Sequence, residues 1–254
     1  MHKKTIFVEK IHEILNFMNL NENIIKKRIN KKPGINLITV DGITCSGKSI
    51  FSKLLKKKLS KKFDNIYIIP KDLFLFSRIR RIKIIKKINK KINHKQNELH
   101  YDLKKLSLLI STLINQPEKK TLTLSGLYDR KTGKNSQKIK FKFKKNSLII
   151  YEGLYLLDDL KGLIKPNLKI LITEKIYDSL ARKIERIRDK KISIQHVVFE
   201  FTNLHLKSFK NYLVKNSFNC SYSGFKRNFV LIKNGKEIQI NLIRQFQKKH
   251  LKKY

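Results

Sequence analysis

Gly42-Ile43-Thr44-Cys45-Ser46-Gly47-Lys48-Ser49 matches the phosphate-binding pattern G-x-x-x-x-G-K-[ST], and nothing else in the chain limits its fold as tightly. The pattern has physical content only where a strand enters the loop and a helix leaves it. Both are expected here. Ile35-Asn36-Leu37-Ile38-Thr39-Val40 is apolar and rich in β-branched residues, as a buried parallel strand must be, and Pro33-Gly34 punctuates its start. After the loop, Ile50, Phe51, Leu54, Leu55 and Leu59 recur at helical spacing with lysines between them. In such a loop backbone N–H groups curl around phosphate oxygens and the helix N-terminus points its partial positive charge at them. Gly42, Ile43, Thr44, Cys45, Ser46, Gly47, Lys48, Ser49 and Ile50 are therefore the candidate nucleotide-binding residues. Lys48 would reach the β- and γ-phosphates, and the Ser49 hydroxyl would hold Mg²⁺.

A length of 254 residues suits one α/β domain with additions. We divide it into an N-terminal helical extension (1–34), a phosphate-loop domain (35–215) and a C-terminal tail with a β-hairpin (216–254). Two cysteines, Cys45 and Cys220, cannot make a disulfide framework and point to a reducing compartment. The start lacks the apolar stretch of a secretory signal, and no run is long enough to span a bilayer, so a soluble cytoplasmic protein is expected. The formal net charge of +40 invites a nucleic-acid or anionic-membrane partner. Its texture argues otherwise. Only ten of the 59 basic residues are arginine, and the lysines are spread along a chain rich in Ile and Asn, as AT-rich codons impose. No specific nucleic acid is expected, only weak polyanion binding at low salt.

Along the chain, Ile11, Ile14, Leu15 and Met18 form one stripe of an N-terminal amphipathic helix, and Asn65 to Ile69 reads as a strand ending at Pro70. Residues 78 to 95 read as a basic amphipathic helix, either bound to a membrane or polyanion or covering the substrate cleft with its apolar face inward; the second reading is favoured. A helix is expected over Leu103 to Leu113. Strands are expected at Thr121–Leu124, Ser147–Tyr151 and Lys169–Thr173, with a half-exposed hairpin arm carrying Ile139, Phe141 and Phe143. Residues 178 to 189 read as a helix holding Arg182, Arg186 and Arg188. Asn234-Gly235 between Asn228–Ile232 and Glu237–Ile240 signals a hairpin. The alternation gives a three-layer α/β sandwich with a mostly parallel sheet, and ligands belong at the carboxyl ends of its strands. Two acids occupy such ends: Asp72 after the second strand, and Glu152 after Leu148-Ile149-Ile150-Tyr151. A carboxylate there can hold Mg²⁺ or take a proton from an acceptor hydroxyl.

The phosphate loop, Lys71-Asp72-Leu73-Phe74, Tyr128-Asp129, Tyr151-Glu152-Gly153-Leu154 and the Arg-rich helix ending Arg188-Asp189 resemble, in order and approximate spacing, the uridine kinase and phosphoribulokinase-like family of P-loop kinases over residues 35 to 215. The resemblance implies transfer of a phosphoryl group from ATP or GTP, with Mg²⁺, to a hydroxyl of a small nucleoside or sugar-type acceptor. It implies phosphate contacts for Lys48, Mg²⁺ among Ser49, Asp72 and Glu152, and a general base at Asp72. Tyr128 resembles the hairpin tyrosine that lines the acceptor pocket, with Asp129 beside it, and Arg182, Arg186 and Arg188 resemble a lid that screens transferring charge. The run Arg182-Lys183-Ile184-Glu185-Arg186-Ile187-Arg188-Asp189 is more widely spaced than the family's. Gly133 falls where pyrimidine nucleoside kinases carry a base-reading His, and Gln96 or Asn97 falls where they carry a ribose-gripping Asp. Both departures argue against uridine, and His100 and Arg130 are candidates for different contacts. A homo-oligomer is compatible with this reading.

Each residue also has a plainer role. Asp72 could cap a helix, Glu152 could pair with a surface lysine, Tyr128 and His100 could be structural, and the arginines could line a solvated face. The rival functional class is an ATPase or nucleotide-dependent module whose basic surface binds nucleic acid or an anionic membrane.

Overall fold

β1 (Asn36–Gly42) is buried at every position, as the centre of a parallel sheet covered on both faces must be. The computed structural model describes residues 36–87, 100–115, 121–144, 146–187, 193–223 and 228–231. In chain order these form β1, α1 (Lys48–Leu59), β2 (Asn65–Pro70), a 3-10 turn (Lys71–Phe74), α2 (Arg78–Lys87), α3 (Leu103–Asn115), β3 (Thr121–Leu127), β4 (Gln137–Lys142), β5 (Ser147–Gly153), α4 (Leu156–Asp159), β6 (Leu168–Thr173), α5 (Ile176–Ile187), α6 (Ile194–Phe199), a π-helical stretch (Glu200–Leu206), α7 (Lys207–Lys215), β7 (Cys220–Ser223) and β8 (Asn228–Leu231).

One sheet has the order β2-β5-β1-β6-β7-β8. Its first five strands are parallel, and β8 closes the edge antiparallel to β7. The α/β sandwich and its mostly parallel sheet are as the alternation of strand and helix patterns predicts. Residues of period two split the core between the faces. Ile38 and Val40 of β1 join Leu148 and Ile150 of β5 against Phe51, Leu55 and Leu59 of α1. Leu37, Ile149 and Tyr151 face the other way, onto Leu106, Leu109 and Ile110 of α3 and onto the β3–β4 hairpin. Each such Leu or Ile contributes about 1.5–3 kcal/mol by leaving water. A third cluster, with Tyr155, Phe201, Phe209 and Tyr212, packs the last helices against the β6 side.

Register positions the chemistry. Val40 of β1 and Pro70 of β2 both lie opposite Glu152 of β5, so the strand between them ends between the phosphate loop and Asp72. The hairpin β3–β4 forms its own two-stranded sheet, with Phe141 and Phe143 buried under it.

One reading changes. α2 does not turn an apolar face inward: Ile79 is 68% and Ile82 47% exposed, because Arg78 and Arg81 tie the helix down on their own side. β8 finds its partner in β7, inside the main sheet, so the sheet runs on past residue 215. The Asn234-Gly235 hairpin, the N-terminal helix, the rest of the basic helix and Arg188 lie outside the described residues. Among those described, no helix is long and apolar enough to cross a membrane.

Candidate active site

The phosphate loop turns as its glycines allow. Gly47 has φ +91°, a conformation L side chains rarely adopt, and a Cβ on Gly42 would stand 2.8 Å from the Ile172 carbonyl oxygen. Cys45 (φ 61°) and Tyr155 (φ 63°) are the described non-glycine residues at positive φ. Both lie beside the site, where sparse conformations concentrate. α1 opens at Lys48, with the Ile50 and Phe51 N–H groups already on the Gly47 carbonyl. Lys48 Nζ donates to the Gly42 and Ile43 carbonyls at 2.8 and 2.6 Å. Burial pulls its ammonium below the usual range, opposed by the charges of Asp41, Glu152 and Asp72. Ile50 is exposed, and Thr44 lies within 3.9 Å of the Cys45 sulfur.

Ser49 Oγ donates to Glu152 Oε1 at 2.8 Å. Glu152 Oε2 is buried with no hydrogen-bond partner among the described residues, as is Ser46 Oγ. An orphaned buried carboxylate oxygen is costly unless something else meets it. The hard-oxygen pair Ser49–Glu152 fits Mg²⁺, which binds through one or two protein oxygens and completes its shell with water and phosphate. No cluster of three or more His, Cys, Asp or Glu among the described residues forms a protein-only cage.

Sequence reasoning missed the carboxylate beneath the loop. Asp41 is fully buried and accepts from the N–H groups of Gly42 (2.9 Å), Tyr155 (3.2 Å) and Leu156 (3.0 Å) and from the Tyr212 hydroxyl. It ties the loop entrance, the turn after β5 and α7 to one side chain. Burial pushes its carboxyl up from 3.8 to about 6, against the pull of Tyr212 and the other donors. Lys71 was missed too. It is buried beside Asp72, paired to Asp159 at 2.8 Å, bonded to the Leu154 carbonyl and set 4.6 Å from the Tyr101 ring centroid. A carboxylate just before the first glycine, and a lysine between a strand and an acid, are the signals that could have found them.

Asp72 pairs with Arg130 from the hairpin loop. That loop is clamped over the segment after β2: Tyr128 N–H donates to the Leu73 carbonyl, Asn135 Nδ2 to Leu75, and Arg78 N–H to Gly133. The Asp129 carboxylate is taken up by its own turn, accepting from Lys131 N–H and Thr132 Oγ1, and these bonds, the backbone one foremost, hold it below its usual range. The Tyr128 hydroxyl accepts from Arg81 Nη2 at 2.9 Å. His100 lies close by: burial, then the Arg81 charge, hold its imidazole below the usual range, and its buried Nδ1 has no hydrogen-bond partner among the described residues. From α5, Arg182 reaches the Cys45 carbonyl and Glu174 at 3.3 Å, while Arg186 is exposed. The structure thus brings Ser49 to Glu152, Arg182 to the loop and Arg130 to Asp72, while nothing among the described residues joins Arg186 to them.

The fold has counterparts among solved structures. The chain resembles a candidate fructose transport system kinase from Silicibacter sp. (20% identity, TM-score 0.56, covering 78% of this chain and 94% of that one). It also resembles a D-glycerate 3-kinase from Cryptococcus neoformans (12%, 0.54, 87% and 97%) and a possible uridine kinase from Bacillus stearothermophilus (18%, 0.50, 75% and 92%). At these identities the likeness is one of fold. No curated protein matches the chain. The model of the phosphoribulokinase/uridine kinase family matches residues 37–220, most of the chain. The chain therefore belongs to the phosphoribulokinase/uridine kinase family and is a nucleotide-binding P-loop kinase, a phosphotransferase with a hydroxyl acceptor.

Proposed function

We propose that the protein transfers the γ-phosphoryl group of ATP to a hydroxyl of a small sugar-type acceptor. The observation that carries this reading is the convergence of Lys48, the Ser49–Glu152 pair and Asp72 at the carboxyl ends of β1, β5 and β2. The backbone of residues 42–50 cradles phosphates, and Lys48 leaves its two carbonyls to hold the β- and γ-oxygens. Ser49 and Glu152, with Asp72 nearby, would hold Mg²⁺, which would supply charge neutralisation for the phosphates. Asp72 takes the proton of the acceptor hydroxyl while its oxygen bonds to the γ-phosphorus; the bond to the β-phosphate oxygen breaks and ADP leaves. Arg182, already on the loop at Cys45, with Arg186 and Arg188 of the same basic run, screens the transferring charge. Tyr128, Arg130 and His100 line the acceptor side, and Asp129 shapes the loop that presents Arg130. The rate gain then comes from positioning and charge neutralisation.

The test is ADP formation with Mg²⁺ and ATP or GTP across a panel of sugars, sugar acids, sugar phosphates and nucleosides, with Lys48→Ala as the control. Acceptor-dependent ADP that disappears in the variant supports the reading. Hydrolysis stimulated by RNA or anionic vesicles, with no acceptor modified, would replace it.

A further inference from the structure

Arginine is scarce in this chain, ten residues among 59 basic ones, so its placement carries information that lysine's does not. Four of the ten, Arg78, Arg80, Arg81 and Arg130, lie on α2 and the hairpin loop clamped beside it. Arg81 is half-buried. Its Nε donates to the Phe76 carbonyl at 3.0 Å and its Nη2 to Tyr128, and its guanidinium carbon lies 5.0 Å from the Tyr128 ring centroid. Among the described residues no carboxylate pairs with it. A half-buried guanidinium held by neutral groups alone is a cation awaiting an anion. His100, whose Nδ1 also lacks a partner among the described residues, sits in the field of Arg81, and Tyr101 feels Asp72, Arg81 and Arg130 together.

Arg130 adds a second argument. Its pair with Asp72 is exposed, 68% on the arginine and 36% on the aspartate, so it is weak and exchangeable. It also occupies the carboxylate that must face the acceptor hydroxyl. A neutral acceptor would have to strip Asp72 of Arg130 and leave that guanidinium unmatched. An acceptor bearing an oxyanion offers Arg130 a replacement and frees Asp72 in the same event.

Resting on the kinase reading above, we propose that the acceptor carries a small oxyanion, a carboxylate or a phosphate monoester, besides the hydroxyl that is phosphorylated, and that Arg81 and Arg130 receive it. Both guanidiniums offer the planar fork that binds such groups bidentately. Preference for an anionic over a neutral acceptor is thus set by the chain's own charges, as specificity built on groups that a wrong ligand leaves unpaired.

The test uses matched acceptors: glycerol, D-glycerate and glycerol 3-phosphate, then fructose and fructose 6-phosphate. At least one anionic member is expected to exceed its neutral partner tenfold or more in kcat/KM, and which one distinguishes carboxylate from phosphate. Arg81→Met should raise KM for the anionic acceptor tenfold or more with nucleotide KM within twofold, and Arg81→Lys should recover part of the loss. Arg130→Met, at an exposed position that spares the fold, should also raise that KM. A neutral acceptor used as well as its anionic partner, or variants that affect both alike, overturns the inference and leaves the kinase standing. Absence of turnover with every acceptor overturns the kinase reading. The anion site is then judged by calorimetric titration of inorganic phosphate and D-glycerate with the P-loop filled by a non-hydrolysable ATP analogue. Binding lost in Arg81→Met upholds it; no binding to the wild type ends it.

Discussion

Ser49 and Glu152 stand 103 positions apart in the chain and 2.8 Å apart in the fold, joining the first turn of α1 to the end of β5. The second oxygen of Glu152 is buried without a partner among the described residues, and the proposed mechanism assigns Mg²⁺ to this pair. Glu152→Gln removes the charge and one of the two carboxylate oxygens while keeping the side chain's shape. The Mg²⁺ concentration for half-maximal activity should rise about tenfold or more, read from a metal titration at saturating nucleotide. An unchanged requirement would remove Glu152 from the metal site.

Asp72→Asn should lower kcat by about 10²–10⁴-fold, the span of general-base catalysis, with nucleotide KM within a few-fold. Because Asp72 is partly exposed, stability should change by less than about 0.5 kcal/mol. Steady-state kinetics alongside urea unfolding separates the two, and wild-type turnover would exclude Asp72 as the base.

Asp41 gives a pH signature. With its carboxyl raised to about 6 in the folded chain against 3.8 ordinarily, the folded state keeps a proton that the unfolded chain has lost between those values. Its contribution to stability is therefore whole below about pH 4 and declines as pH rises to about 6, by about 3 kcal/mol. Asp41→Asn lacks this slope. At every pH it also pays about 1–3 kcal/mol, because one amide oxygen cannot accept from four donors. Urea unfolding of both proteins from pH 4 to 7.5 measures the difference; parallel curves would mean that Asp41 is ionised throughout.

Lys71→Met should destabilise by about 3–5 kcal/mol, since it leaves Asp159 buried with only the Tyr151 hydroxyl as partner. The midpoint of urea unfolding reads this directly. A loss below about 1 kcal/mol would show that Asp159 simply takes up a proton.

How much of this was legible follows from what each signal depends on. The phosphate loop, β1, β5 and the acids at strand ends could be read because apolar period and turn residues are local. Asp41 was hidden by its surroundings: a carboxylate after Val40 looks like the end of a strand until Tyr212, 171 positions away, closes on it. To the sequence pattern Arg81 is one more cation on a basic helix, because the pattern counts charges and cannot say which of Arg78, Arg80 and Arg81 meets Tyr128. The exposure of Ile79 and Ile82 has the same origin, since anchoring by Arg78 and Arg81 overrode the apolar stripe. The stretch from Ile194 to Lys215 drew no expectation, yet its α6, π-helical turn and α7 carry Phe201, Phe209 and Tyr212 into the core.

The central claim is group transfer at the P-loop, and its most direct measurement is the fate of the γ-phosphate followed by ³¹P NMR in wild type and Lys48→Ala. The account predicts that each ADP formed is matched by one phosphate ester on the acceptor, and that both signals fall at least about 10²–10³-fold in the variant. ADP matched only by inorganic phosphate, or transfer that persists in Lys48→Ala, would contradict it.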